Sequence, residues 1–251
     1  MKTLRRFKSL STYFLVMVVG GLITFTGQKI IESKFFSKEC KIFSIQDVSK
    51  YYPLSIGNRW IYNGRVKSLA EGSIEEQTIN NLEININEII DKENTRLVIM
   101  RGDFADVFSD KHSETGLVIV SNKVFRIDDE NKIDSLRKRF QEEGESSILY
   151  GLVDYDEILF EFPLEKGIRI GEAAQLTRED RLYYWLVRDQ KDIRLSSGEQ
   201  LKDCYELAFT SLPDETWFWF CPHIGIVEWH YKHHGATQEA DFYLSDYLVK
   251  Y

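Results

Sequence analysis

The side chains best suited to chemistry gather toward the C-terminal end of the chain. Twelve aromatic residues lie between Cys204 and Tyr251, among them Trp217-Phe218-Trp219-Phe220, Trp229 and Tyr231. Large rings bury much apolar area and can wall a site for a lipid-like ligand or a peptide. Neighbouring residues of a strand point to opposite faces, so Trp217 and Trp219 share one face and Phe218 and Phe220 the other. Trp217, Trp219, Trp229 and Tyr231 are the candidate lining of an apolar groove. Ordinary core and cross-strand packing is the competing explanation.

Four of the five histidines, His223, His230, His233 and His234, fall in the same stretch. A metal site needs converging donors. On a strand His230 shares a face with Glu228, while His233 leans the other way. His230, His233 and His234 are therefore weak metal candidates, and exposed turn histidines with no bound metal or cofactor are the expectation. Cys204 and Cys221 flank a turn near Leu212-Pro213, and symmetric pairing places residue 204 opposite about residue 222. Outside the cytoplasm the two can form a disulfide. Cross-strand geometry often disfavours that bond, so two buried thiols are the preferred reading.

Other groups carry less. Asp154, Asp156, Glu157 and Glu161 alternate with Tyr155, Ile158 and Phe160, which fits a solvated strand or loop face better than a paired glycosidase site. Arg101-Gly102-Asp103 fits a strand end followed by a turn. The chain holds no G-x-S-x-G, phosphate-binding glycine loop, H-E-x-x-H or CxxC. No catalytic residue is assigned, though an envelope hydrolase with a spatially assembled site remains the alternative function.

The elements that must position these residues follow a period of two. Leu82-Glu-Ile84-Asn-Ile86 alternates strictly, and Leu117–Val120 and Val124–Ile127 flank a two-residue turn, Ser121-Asn122. About ten strands emerge between residue 50 and the C-terminus. Helix is sparse: Ile133, Leu136 and Phe140 recur at helical spacing within Asp129–Glu143, and Asp47–Tyr51 forms another turn of helix before Pro53. The expected fold is mainly β, a curved antiparallel sheet or half-barrel with one or two short helices on its concave side, a sandwich being the competing architecture. Tyr52-Pro53-Leu54-Ser-Ile-Gly57 is echoed 110 residues later by Phe162-Pro163-Leu164-Glu-Lys-Gly167. The echo marks either two similar sheet halves or convergence on one turn design.

Composition sets the frame. The chain has 251 residues, 43% of them hydrophobic, and a net charge of −8. It can form a packed core, and its acidic balance argues against a nucleic-acid partner. The charge is unevenly spread. Lys2, Arg5, Arg6 and Lys8 precede an uncharged stretch from Ser9 to Gln28, so the rest of the chain carries −12. A basic head before an apolar run is a signal anchor or a signal peptide. The small-residue cleavage pattern is poor, which favours an uncleaved hydrophobic helix. The positive-inside rule then leaves the N-terminus in the cytoplasm, with residues 41–251 outside the inner or plasma membrane; cleavage would give a secreted or periplasmic protein. Residues 29–50 form a juxtamembrane connector containing Cys40, and residues 51–251 the extracytoplasmic domain.

Tyr51-Tyr-Pro-Leu-Ser-Ile-Gly-Asn-Arg-Trp60 resembles the PL-x-x-G-x-x-W opening of a group of bacterial exported proteins and lipoproteins. Gly198 followed by Asp203-Cys204-Tyr-Glu-Leu207, and Trp217 to Val227, are similar to two later motifs of that group. His223 stands where glycine is usual, and the lipidated cysteine is missing. The resemblance covers roughly residues 51–251. It implies an extracytoplasmic β-rich domain like the half-barrel of lipoprotein carriers, and it implies no particular reaction. Together these features point to a non-enzymatic, membrane-anchored domain. Its expected partners are the membrane, through the N-terminal helix, and an apolar small molecule or an envelope protein. A purely structural envelope protein is the third alternative.

Overall fold

The computed structural model describes residues 44–70, 73–92, 94–108, 113–142, 151–171, 174, 180–235 and 238–251. The expected N-terminal helix of residues 1–28, and Cys40, lie outside the described residues. Among those described, no helix is long and apolar enough to cross a membrane.

Helix α1, Ile45–Tyr51, opens the described chain. It starts earlier than the apolar pattern suggests because Ser44-Ile-Gln-Asp47 is a capping box: Asp47 N–H donates to Ser44 Oγ, and Asp47 accepts from the Ser44 N–H at 3.0 Å. Twelve strands follow: β1 Arg59–Ala70, β2 Ser73–Lys92, β3 Thr95–Arg101, β4 Glu114–Val120, β5 Lys123–Ile127, β6 Ile158–Glu161, β7 Arg169–Ile170, β8 Trp185–Arg194, β9 Gln200–Thr210, β10 Asp214–Cys221, β11 Gly225–His233 and β12 Gln238–Leu248. Helix α2, Glu130–Glu142, lies between β5 and β6.

All twelve strands belong to one sheet, in the order β6-β5-β4-β3-β2-β1-β12-β11-β10-β9-β8-β7. Every pairing among the described strands is antiparallel, as expected for a meander. The edge strands β6 and β7 come into contact without forming a ladder, so the sheet curls into a nearly closed barrel rather than a half-barrel. The count exceeds the expected ten for two reasons. Residues 158–161 pair with β5 as an edge strand with Ile158, Leu159 and Phe160 buried, not as a solvated face. Strand β7 is only two residues long, too short to show a period.

The two proline motifs sit in equivalent places. One precedes β1, the first strand of the meander β1–β6; the other precedes β7, the first strand of the meander β7–β12. In each, the leucine (Leu54, Leu164) is buried and the glycine (Gly57 at φ +84°, Gly167 at φ +91°) takes the left-handed conformation that a side chain resists. The first turn is tied down by Asn58, which is fully buried. Its Nδ2 donates to the carbonyls of Pro53 and Lys250, and its Oδ1 accepts from the Lys250 N–H.

The helices take opposite sides of the sheet, which corrects the expectation that both lie on the concave side. Helix α1 leads into the interior, where Tyr52 meets the rings of Trp60, Phe160 and Phe220. Helix α2 packs outside, over β2, β3 and β4, burying Ile133, Leu136 and Phe140. Gly116 leaves room for Ile133, whose Cγ1 would lie 3.3 Å from a methyl at that position. This explains the unbroken apolar runs Leu97–Met100 and Leu117–Ile119: both faces of these strands are covered, so alternation disappears.

Candidate functional site

The interior of the barrel holds a cavity of about 380 Å3. Its wall is built by inward-facing strand residues and by a 3-10 turn, Phe104–Phe108, that follows β3. Asp103 and Asp106 shape that turn. The Asp103 N–H donates to Asp106 Oδ2 at 2.9 Å, the Ala105 N–H donates to Asp103 Oδ1 at 2.8 Å, and Ser113 caps Asp106. The turn carries Phe104 against Trp229, with the rings stacked at 4.8 Å and 4°, and Tyr62 meets Phe104 edge-on at 4.8 Å. Arg101-Gly102-Asp103 is thus a structural turn that shapes the cavity.

Three of the rings in the wall turn their polar atoms into the protein. Trp60 Nε1 donates to the Ile224 carbonyl at 2.6 Å, Tyr62 Oη to the Ile226 carbonyl at 2.8 Å, and Tyr231 Oη to Asp214 at 2.6 Å. With those groups satisfied, the rings present apolar surface to the cavity. Burial and the bond to Asp214 push the Tyr231 pKa up to about 12, so this phenol stays protonated at physiological pH.

A charged spot interrupts the apolar lining. Arg126, on β5 opposite Leu117, reaches Asp103 at 2.8 Å through Nη2 and Asp128 at 2.9 Å through Nε. Thr115 Oγ1 donates to the same Asp103 carboxylate at 3.1 Å. Burial works against the Arg126 charge, but Asp103 and Asp128 outweigh it and raise its pKa. The guanidinium stays charged, held in a low-dielectric wall by two carboxylates. A shallower depression, lined by Asp128, Asp156 and Glu157, shares Arg126, Leu159, Trp185 and Phe209 with the cavity. These four residues therefore stand between the cavity and an acidic patch.

The structure divides the four residues proposed from sequence. Trp229 and Tyr231 line the cavity. Trp217 and Trp219 do not, because strand alternation gives the inward positions of β10 to Thr216 and Phe218. On the outer face Trp217 stacks on His230 at 5.0 Å. Trp219 is only 6% exposed, with Lys191 Nζ lying 4.1 Å from its ring centre. Sequence reasoning missed Tyr52, Trp60, Tyr62, Phe104 and Arg126. The first three stand in or beside the first proline motif. The signal that points to Arg126 is that it is the one charge inside Val124-Phe-Arg-Ile127.

The histidines are engaged separately. His230 Nδ1 lies 2.7 Å from Asp241, His233 Nδ1 lies 2.7 Å from Asp214, and His234 Nε2 lies 3.7 Å from Glu215. None of the three lines the cavity. Among the described residues no group of three His, Cys, Asp or Glu side chains is placed to hold a metal ion. Cys204 and Cys221 form a disulfide, where two thiols were preferred from sequence. The β9–β10 register pairs Tyr205 with Phe220, which brings the next two residues face to face with Cα atoms 4.1 Å apart.

No protein-family model matches the chain, and no curated protein matches it. Among solved structures it is similar to a protein from Bacteroides fragilis described as exported, with a YmcC-like fold. The identity is 9% and the TM-score 0.40, over 82% of this chain and 98% of that one. It is also similar to a protein from Parabacteroides distasonis described as a lipoprotein, at 11% identity and a TM-score of 0.35, over 84% of this chain and 100% of that one.

Proposed function

We propose that the protein is a non-enzymatic extracytoplasmic binding domain that takes an apolar small molecule into its barrel. The observation that carries this is the cavity of about 380 Å3 walled by Trp60, Tyr62, Phe104, Trp229 and Tyr231. That volume lies within the range of small-molecule sites, and such sites are mostly apolar with a few placed polar groups. Trp229 and Tyr231 keep the ligand-lining role proposed for them; Trp217 and Trp219 are assigned to the outer face.

Two observations support the location. The basic head and uncharged run of residues 1–28 have the make-up of an export segment, and a disulfide persists in oxidising compartments. The domain is then held at the membrane by that segment, or released if the segment is cleaved. Mass spectrometry of the mature N-terminus tests the choice: a chain beginning near Gln28 removes the anchor.

The binding role is tested with the uncharged fluorescent probe N-phenyl-1-naphthylamine. One probe should bind per chain, with enhanced fluorescence. Thr216 is a half-buried, inward-facing residue of the cavity wall, so Thr216→Trp should fill part of the cavity and abolish binding while circular dichroism is retained. Binding that survives Thr216→Trp, or no binding to the wild-type chain, overturns the proposal.

A further inference from the structure

The polar spot in the cavity wall limits which head group an apolar ligand can carry. Arg126 is the cationic side chain of that wall, and its Nε and Nη2 are taken by Asp128 and Asp103. No described residue accepts from Nη1, and the side chain keeps 31% of its surface accessible. One hydrogen-bond donor group is therefore free for a ligand acceptor. Its charge is not free. Asp103 and Asp128 together outweigh the single guanidinium, and Asp156 and Glu157 face the adjoining depression. Lys132 balances part of this, but it is already held by Glu157 at 2.8 Å and Asp154 at 3.2 Å.

Resting on the cavity-binding function above, we propose that the site takes an uncharged amphiphile. Its hydroxyl or ester carbonyl would accept from Arg126, its apolar chain would lie among the rings, and the site would discriminate against a carboxylate head of the same chain length. An anionic head at Arg126 meets two carboxylates for one cation, with a further acidic patch behind the wall. At this wall Asp103 is largely buried and Asp128 partly solvated, so screening is incomplete and the imbalance is repulsive. A neutral acceptor forms the hydrogen bond to Arg126 without that cost.

Competition against bound N-phenyl-1-naphthylamine at pH 8 tests the proposal, with monolaurin and laurate as the competitors. Monolaurin should displace the probe at a concentration roughly tenfold or more below that of laurate. Asp128 is 62% exposed at its side chain, so Asp128→Asn should keep the fold while narrowing the gap, by tightening laurate more than monolaurin. Laurate equal to or better than monolaurin overturns the proposal, as does a gap that Asp128→Asn leaves unchanged. Probe binding that neither competitor displaces also overturns it while leaving the cavity reading intact. Failure of the probe itself to bind removes both.

Discussion

Strands β1–β6 and β7–β12 each run as a six-strand meander entered through an aromatic-Pro-Leu-x-x-Gly turn, yet they cover their outer faces differently. In the first half α2 lies over β2–β4, and the strands beneath it are apolar on both faces. In the second half no described helix covers the outside. There the outer face is clad by side chains: Trp217 on His230, Lys191 over Trp219, and Arg188 bound to Glu206 and Glu215. The disulfide lies in this half as well. Similar topologies thus reach stability by different means, one by hydrophobic burial under a helix and the other by ring-and-ion packing with a covalent tie.

The halves meet through the long β1–β12 ladder, and an Asn58 clamp holds the end of the chain against the first turn. They should therefore unfold together, and a set of variants can break or sharpen this comparison. The largest effect is expected under the helix. Phe140 is buried between α2 and the sheet, and Phe140→Ala should cost about 4 kcal/mol in urea unfolding. Loss of the Cys204–Cys221 bond, by reduction or by paired Ser substitution, should cost about 3 kcal/mol, from the entropy of the loop it closes. Both changes should move one shared transition. Two separate transitions, each sensitive to one change only, would show the halves to be independent.

Asn58→Ala should cost about 2 kcal/mol, because it leaves the buried Pro53 carbonyl and the partly buried backbone groups of Lys250 without their bonds. Its effect should appear in the same transition, since the clamp joins the two halves; a change in fraying of the last strand alone would reduce it to a local fastening.

The smallest effect concerns pH. Burial pulls the His230 pKa down, but Glu228 and Asp241 outweigh it and raise it. Stabilisation from a raised histidine is complete below the unfolded value of about 6.5 and fades as pH rises through the folded value. Burial alone would raise the Asp241 pKa, but His230 and Arg65 lower it, so its contribution holds above about pH 4 and is lost in acid. The difference between wild type and His230→Gln should therefore peak near pH 5, at about 1 kcal/mol or less, and shrink toward pH 8. A difference that is flat with pH would mean that stacking on Trp217, rather than charge, is what His230 supplies.

Much of the fold was legible where contacts are local. Ser121-Asn122 turns β4 into β5 as expected, and the spacing of Ile133, Leu136 and Phe140 marks α2 to within a residue or so. Helix α1 begins two residues before Asp47, because the Ser44–Asp47 capping box rather than the apolar pattern sets its start. The candidate site was half legible. Trp229 and Tyr231 reach the cavity, whereas the indoles two strand positions apart on β10 share the face that turned out to be outward. Alternation tells which residues share a face, but not which face is inside.

The amino-acid sequence by itself determined that the chain makes an antiparallel meander, where most of its turns fall, and that two related turns open two stretches of it. These properties depend on backbone preference and side-chain period over a few residues. Tertiary structure alone decided that β1 pairs with β12, that β6 meets β7, that α2 lies outside, and that Arg126 finds Asp103. Apart from β6 and β7, which only residues 162–168 separate, these are contacts between residues well apart in the chain. They are set by the closure and curvature of the whole sheet, which no local window encodes.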